Sequence, residues 1–141
     1  MTVEDNKALI RSFVENAFAN GDLAHLDDYF APESVNRGQS GAATPSGRDA
    51  FAQTVRSVHA AFPDIRVSID DVIGEADKVV IRLSWDATHT APFMGISPTG
   101  KRVHVQAMNI YRVEDGRIAE RWGGPDLLGL LKQLGAEIRP G

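Results

Sequence analysis

The spacing of apolar residues along the chain changes once, from every third or fourth position to every second position. Between residues 9 and 18 the apolar side chains recur at helical spacing, and Thr2 with Asp5 is typical of a capped helix start. This pattern predicts an amphipathic N-terminal helix. A short second helix is predicted over residues 23–30, and Pro32 ends it because the residue before a proline is pushed out of helical backbone.

A polar segment precedes the third predicted helix. Residues 37–47 (RGQSGAATPSG) are small, polar and rich in turn formers, so they predict a loop. Ser46 and Asp49 are placed to cap the helix that follows, and Pro63 ends it. The helix has one apolar face, made of Phe51, Val55, Val58 and Phe62.

From residue 65 onward, apolar and polar positions alternate, which is the period of a β-strand. The alternation predicts four strands separated by polar turns, at about residues 65–73, 79–90, 103–112 and 118–122. A last helix is rich in leucine and ends at Gly135, a residue type common at helix C-termini. Helices followed by consecutive antiparallel strands predict an α+β fold with the helices on one face of the sheet. Long strands curl, so we predict a conical cavity between sheet and helices, with the functional site inside it.

Composition and charge narrow the chemistry. The chain has 141 residues, 43% of them hydrophobic, which predicts one domain over residues 1–141 with a core large enough to hold a pocket. It has no cysteine, so disulfides, thiolate metal sites and cysteine nucleophiles are excluded. A net charge of −4 and scattered basic residues argue against binding to nucleic acid or anionic membranes. The acidic N-terminus and the lack of about 20 consecutive apolar residues predict a cytoplasmic protein without a membrane segment.

Five segments of the chain carry a family resemblance. They are residues 61–64 (AFPD), 88–103 (THTAPFMGISPTGKRV), 110–112 (IYR), 114–122 (EDGRIAERW) and 126–135 (DLLGLLKQLG). Together they resemble the SnoaL-like polyketide cyclase (ester cyclase) family of the NTF2-like superfamily, and the match spans essentially the whole chain. The resemblance implies an NTF2-like cone, in which N-terminal helices pack on a strongly curved antiparallel sheet and a short helix ends the chain.

The resemblance also implies a reaction, the aldol-type closure of a ring in an aromatic polyketide or ester intermediate. It implies a carboxylate base and neither a metal nor an organic cofactor. A carbon next to carbonyl groups is acidic enough for a positioned carboxylate to deprotonate, provided that a donor meets the enolate oxygen. The expected partner is a small molecule with apolar rings and carbonyl groups. The four histidines contain no pair at i, i+4 spacing, which agrees with the absence of a metal site.

Three residues are candidate catalytic groups. Asp126 matches the family's acidic residue after the tryptophan strand and is the leading candidate for the base, although a carboxylate there also suits a helix N-terminus. Glu120 is either a second cavity carboxylate or a surface partner of Arg121 or Arg112. His104 shares a strand face with Gln106 and Met108, and that face grades from polar to apolar as a pocket wall would. The alternative for His104 is a surface position next to the PTGK turn.

The remaining candidates are substrate-binding residues. His89 is placed either to donate to a substrate carbonyl or to hold the loop that follows it. Family members often carry a histidine after the second helix, where this chain has Asn36 and Arg37, and Arg37 is suited to bind a carboxylate or enolate. The other candidates are the polar Gln106 and the apolar or aromatic side chains of Met108, Trp85, Trp122, Phe93, Met94 and Tyr29.

Two other functions fit the same fold, because one fold hosts many activities. The first is another NTF2-like enzyme acting on a polycyclic small molecule, of the hydroxylase, isomerase or epoxide hydrolase type. The second is a non-catalytic module for small-molecule binding or dimerisation. Convergence of the three catalytic candidates on one cavity would favour an enzyme. Apolar residues on the outward side of the sheet also predict a homodimer or homotetramer.

Overall fold

The structure is a computed structural model that describes residues 2–39, 41 and 43–137. The chain begins with helix α1 (Val3–Phe13), which continues as a π-helical segment (Val14–Ala19). The hydroxyl of Thr2 accepts a hydrogen bond from the Asp5 N–H, and the Asp5 carboxylate accepts one from the Thr2 N–H. This is the predicted capping box, which satisfies two backbone groups that a helix start leaves free.

A four-residue helix and a strand stand where the pattern predicts a longer second helix. Helix α2 covers Leu26–Tyr29, and the chain then extends directly as β1 (Phe30–Asn36). A two-residue strand, β2 (Thr44–Pro45), pairs with β1 inside the predicted loop. The pattern of apolar and polar residues did not predict β1. Only Phe30 and Ser34 of this strand are buried, and this spacing of four differs from the two-residue period of a half-buried strand.

The rest of the chain follows the predicted order. The hydroxyl of Ser46 accepts the Asp49 N–H at the start of the third helix. The strands lie side by side in the order β2-β1-β6-β5-β4-β3, and every neighbouring pair is antiparallel except β1 with β6. The predicted α+β class is confirmed, with one parallel pair added. The remaining elements are α3 (Gly47–Ala61), β3 (Arg66–Glu75), β4 (Lys78–Thr88), β5 (Arg102–Glu114), β6 (Arg117–Pro125) and α4 (Leu127–Gln133).

The two faces of the sheet differ in polarity. The inner face, which packs against the helices, carries the buried side chains Val79, Ile81, Leu83, Trp85, Val103, Val105, Ala107 and Tyr111. They form one core with helical residues that include Ile10, Phe13, Val58 and Phe62. Burial of each large apolar side chain stabilises the fold by about 1.5 to 3 kcal/mol, so the core fixes which side chains face inward.

The outer face of the sheet is the opposite one, and it carries an exposed apolar row. Ile73, Val80, Ile110 and Trp122 are register partners on the four consecutive strands from β3 to β6. Ile73 is 61% exposed and Ile110 is 37% exposed. A homodimer or homotetramer remains a prediction, and this row is the surface that it would cover. In the described part of the chain, no helix is both long enough and apolar enough to cross a membrane.

Candidate functional site

A cavity of about 730 Å³ lies between the inner face and the helices, and we call it the central cavity. Its size is typical of small-molecule sites. Exposed polar side chains of α3, Gln53, Thr54 and Ser57, line its mouth. Most of the wall is apolar, including Phe13, Val14, Phe18, Phe51, Val58, Leu83, Trp85, Phe93, Met94, Ala107, Leu127 and Leu130. The cavity predicted from the curl of the strands is therefore present.

One polar cluster lies on the inner face within this apolar wall. We call it the Arg121 cluster, and its members are Asn36, Asn109, Tyr111 and Arg121. Arg121 on β6 is the register partner of Asn36 on β1 and of Tyr111 on β5. Directly opposed residues on paired strands share a face, so the pairing of β1, β6 and β5 brings these side chains together.

The guanidinium of Arg121 is held by neutral groups. It donates to Asn36 Oδ1 at 2.8 Å and to Asn109 Oδ1 at 2.7 Å. Its register partner Tyr111 lies beside it, and burial raises the pKa of that phenol. Among the described residues, Arg121 forms no ion pair, and no Asp, Glu or His lines the central cavity. The cavity therefore presents a positive charge with no negative partner, an arrangement that favours an anionic group on a ligand.

A glycine next to Arg121 is required by the close approach of two strands. Gly123 is the register partner of Asn109 and has a φ of +104°. A Cβ atom there would lie 2.2 Å from the carbonyl oxygen of Met108 and 3.0 Å from the Cα of Asn109. Only glycine allows β6 to stay paired with β5 at the point where Arg121 reaches Asn109.

Asp126, the leading candidate for the base, does not line the central cavity. It is exposed at the N-cap position of α4, where its Oδ1 accepts the N–H of Gly129 at 2.9 Å. The carboxylate is directed to the start of its own helix, as the alternative interpretation allowed. Its predicted position as a cavity base is therefore wrong.

This placement gives a test of Asp126. We expect Asp126→Ala to lower the free energy of unfolding by about 1 kcal/mol, because it removes a helix cap. Asp126→Asn keeps an oxygen that accepts the same hydrogen bond, so we expect it to retain both stability and any turnover of the protein. Urea denaturation and a turnover assay of the three proteins would measure this. An Asn variant that folds normally but loses turnover would contradict the assignment.

His104 lies on the outer face. Its Nδ1 is 2.8 Å from Asp86 Oδ1, and both side chains are about half exposed. Gln106 and Met108 share this face, and Met108 is 62% exposed. The pocket-wall interpretation is wrong and the surface alternative for His104 is correct, because alternation defines two faces without saying which one the helices cover. The other set of β5 side chains, Val105, Ala107, Asn109 and Tyr111, is the buried one.

Glu120 also lies outside the central cavity, in a smaller pocket of about 390 Å³ that we call the outer pocket. Arg37 forms an ion pair with it, and Arg112 Nε donates to its Oε1 at 3.1 Å. The hydrogen bond from Arg37 is the main cause that holds the pKa of Glu120 below its ordinary value, and the hydrogen bond from Arg112 acts in the same direction. Glu120 is thus a partner of Arg112, as the alternative interpretation predicted, and not of Arg121. Its second partner is Arg37, which binds Glu120 instead of lining the central cavity.

The outer pocket predicts a pH-dependent stability. Because the pKa of Glu120 in the folded protein lies below the ordinary 4.5, its ion pairs stabilise the fold above that pH and are lost as the pH falls through the lowered pKa. We expect Glu120→Gln to be less stable than the unmodified protein at neutral pH and nearly equal to it in acid. Unfolding free energies measured from about pH 7 to about pH 3 test this. A gap that stays constant across this range would contradict it.

The other predicted substrate contacts divide into two groups. Trp122 is paired with Ile110 on the outer face, and Tyr29 packs its ring 5.4 Å from Phe13 while its hydroxyl is 3.0 Å from Ser12 Oγ. Neither lines the central cavity, so the prediction that they form its wall is wrong. Four other candidates do line it, and their contact with substrate stays a prediction: Asn36, Trp85, Phe93 and Met94.

His89 is fully buried and holds a loop. Its Nδ1 accepts the N–H of Thr99 at 3.1 Å, and its own backbone N–H donates to Lys101 O at 2.9 Å. These bonds join the two ends of the segment that carries Phe93 and Met94 to the cavity wall. The contacts support the loop-holding alternative for His89, which is not among the cavity-lining residues.

The sequence interpretation missed Arg121, Asn109 and Tyr111 as site residues. The available signal was the apolar set of β5, because Val103, Val105 and Ala107 alternate in phase with Asn109 and Tyr111. Polar residues that share the core-facing phase of a strand are candidates for a cavity site.

In the described ranges, no group of three or more His, Cys, Asp or Glu side chains is placed to hold a metal ion.

The α+β fold encloses an apolar cavity, and comparisons with known proteins give its family. The sequence profile of SnoaL-like polyketide cyclases matches residues 8–134, so the chain belongs to this family. The aklanonic acid methyl ester cyclase AcmA of Streptomyces galilaeus is 30% identical over 129 residues, which are 91% of this chain and 89% of AcmA.

Solved structures agree with the fold. IdmH of Streptomyces antibioticus, a candidate polyketide cyclase, is 32% identical with a TM-score of 0.79, over 93% of this chain and 99% of IdmH. AclR of Streptomyces galilaeus, a candidate hydroxylase, is 28% identical with a TM-score of 0.84, over 95% of this chain and 98% of AclR. The fold predicted from the family resemblance is confirmed.

Proposed function

We propose that the protein is a polyketide cyclase that closes a ring by stabilising an enolate at Arg121. Family membership supports a cyclase, and the apolar central cavity suits a substrate of fused rings and carbonyl groups. The observation that carries the proposal is the guanidinium of Arg121, which lies in the cavity wall with Asn36 and Asn109 as neutral partners. A positive charge beside a ligand carbonyl stabilises the negative charge that develops there.

The reaction balances without a carboxylate base in the cavity. A carbon next to carbonyl groups loses a proton to water at the mouth, because Arg121 stabilises the enolate and a nearby opposite charge lowers the pKa of such a group by about 1 to 3 units. The enolate carbon forms a carbon–carbon bond with a second carbonyl carbon of the same molecule. The electron pair moves to that carbonyl oxygen, which takes up a proton, so substrate and product have the same composition.

The apolar wall has its own role in this proposal. A flexible substrate must be folded with the two reacting carbons close together, and holding it so removes a large entropic part of the barrier. Trp85 and Phe93 offer aromatic surfaces on which a flat ring can pack. The low polarity of this wall also strengthens the interaction between Arg121 and the enolate.

Aklanonic acid methyl ester, the compound for which AcmA is named, is a suitable trial substrate. We expect a product of unchanged mass with a different absorption spectrum and retention time, because aldol closure is an isomerisation. Arg82→Met is a matched control, since Arg82 pairs with Asp71 on the outer face at 2.7 Å. The proposal is wrong if neither the ester nor its free acid is converted by protein at concentrations equal to the substrate.

One observation favours a second function, which is binding without catalysis. In the described part of the cavity wall there is no carboxylate or imidazole to act as a general base. A protein with such a cavity can bind a carbonyl-rich ligand and release it unchanged. Saturable binding of the trial ester without conversion would support this alternative over the cyclase.

A further inference from the structure

Tyr111 is a buried residue of the Arg121 cluster whose hydroxyl has no role in the mechanism above. Its ring is 3% exposed and packs against Phe13 at a centroid distance of 5.7 Å. Tyr111 also lines the central cavity, directly across the β5–β6 ladder from Arg121. The phenol is therefore fixed in position by the core while it contributes to the cavity wall beside the guanidinium.

The donor and acceptor inventory shows which hydrogen of this pair is free. An arginine side chain has five N–H donors and no acceptor, so Tyr111 cannot donate its phenolic hydrogen to its register partner Arg121. The phenolic hydrogen then has to find its partner elsewhere, and none of the described hydrogen bonds uses it. Arg121 itself gives one hydrogen each to Asn36 and Asn109, which leaves further N–H groups for a ligand.

We propose that Tyr111 and Arg121 form a two-donor oxyanion site that binds its ligand in the ionised form, as an enolate or a phenolate. Arg121 supplies the charge and Tyr111 supplies a hydrogen bond to the same oxygen. The inference rests on the proposed function for the class of ligand, and it adds a second donor and the ionisation state of the bound molecule. Hydrogen bonds to a charged oxygen are about twice as strong as those between neutral groups, so both donors favour the anion.

The environment keeps Tyr111 in the donor form. Burial raises its pKa and outweighs the opposite effect of Arg121, so the phenol keeps its proton in neutral solution. The other groups around the oxyanion site are the neutral amides of Asn36 and Asn109 and the apolar side chain of Phe13. The ligand class that fits is a flat, mostly apolar molecule with an acidic hydroxyl conjugated to a carbonyl, either a 1,3-dicarbonyl or a hydroxyaryl ketone.

A coloured probe measures this preference without a known substrate. In 2-hydroxyanthraquinone a single hydroxyl ionises with a change in visible absorption, and 2-methoxyanthraquinone has the same rings but no acidic hydrogen. We expect the pKa of the bound hydroxyl to fall by about one unit or more, which means that the phenolate binds about tenfold or more tightly than the phenol. The affinity for the methoxy compound should be the same on both sides of the pKa of the hydroxyl probe. Equal affinity for phenol and phenolate would overturn the inference.

Variants assign the preference to the two donors. Tyr111→Phe should weaken phenolate binding about tenfold while leaving the methoxy compound unaffected, and Arg121→Met should remove the preference for the phenolate. The chain has two tyrosines, so Tyr29→Phe makes the same chemical change outside the cavity and should alter neither affinity. Near-ultraviolet circular dichroism would confirm that each variant is folded. An equal effect of Tyr111→Phe on both ligands would assign Tyr111 a packing role and overturn the inference.

The same proteins separate this inference from the cyclase proposal. Closure of aklanonic acid methyl ester without a preference for phenolate would leave the cyclase standing and overturn the oxyanion site. A preference for phenolate that depends on Tyr111 and Arg121, without ring closure, would overturn the cyclase and support the site. If Tyr111 acts in turnover as proposed, Tyr111→Phe should lower kcat more than it raises KM.

Discussion

Replacing Arg121 with methionine is expected to lower the rate of ring closure by about 100- to 1,000-fold, the usual loss when one donor to a developing oxyanion is removed. The cause is the loss of the positive charge in a cavity whose described wall has no other charged side chain. Steady-state kinetics with the trial ester would measure the effect. The rate of Arg121→Lys should lie between the rates of the unmodified protein and of Arg121→Met. Lysine keeps the charge but cannot donate to Asn36 and Asn109 with the same geometry.

The control for this variant is structural. Asn109 is 94% buried and loses its hydrogen-bond donor in Arg121→Met, so folding must be compared by thermal and urea denaturation. Arg82→Met removes an arginine from the outer face and should leave turnover unchanged. A folded Arg121→Met protein with a normal rate would refute the role given to the guanidinium.

The largest effect on stability is expected for Gly123→Ala, about 2 to 5 kcal/mol of unfolding free energy, from backbone strain and a steric clash together. The added methyl group would meet the backbone of β5, which cannot move aside as a flexible side chain can. The relief of this clash would separate β6 from β5 next to Arg121, so ligand binding should fall as well. Urea denaturation and probe binding would measure the two effects.

Gly100 provides a matched control for this prediction. Its φ is +70°, but a Cβ atom there would have no neighbour within 4 Å. Gly100→Ala therefore includes the cost of the backbone conformation alone, about 1 to 2 kcal/mol. Equal losses of stability in the two variants would show that the predicted clash of Gly123 with β5 is absent.

The helices and long strands were predictable because their signals are local. The capping pair of Thr2 and Asp5 and the leucine-rich last helix follow from spacing within a few residues. Strand β1 could not be found in this way, since its partner β6 lies more than 80 residues further along the chain. Its pairing, and not its own sequence, makes it a strand.

The site was harder to predict than the fold, because a site depends on which strand face meets the helices. The alternation on β5 and β6 was correct, but it left either face open for His104 and Glu120, and both residues lie on the outer one. A shift of one position exchanges the two faces of a strand. Asp126 was misassigned for another reason. An aspartate between a β-strand and a helix can be either a helix cap or a catalytic base, and the sequence does not distinguish the two roles.

Two features of the central cavity come from different elements of the chain. Its charged end depends on the register of three paired strands around Arg121, whereas its entrance is one exposed face of α3 with Gln53, Thr54 and Ser57. Substitutions on a solvent-exposed helix face rarely disturb folding. Protein engineers can thus vary the entrance to admit bulkier or differently decorated molecules while the strand register that holds Arg121 stays intact.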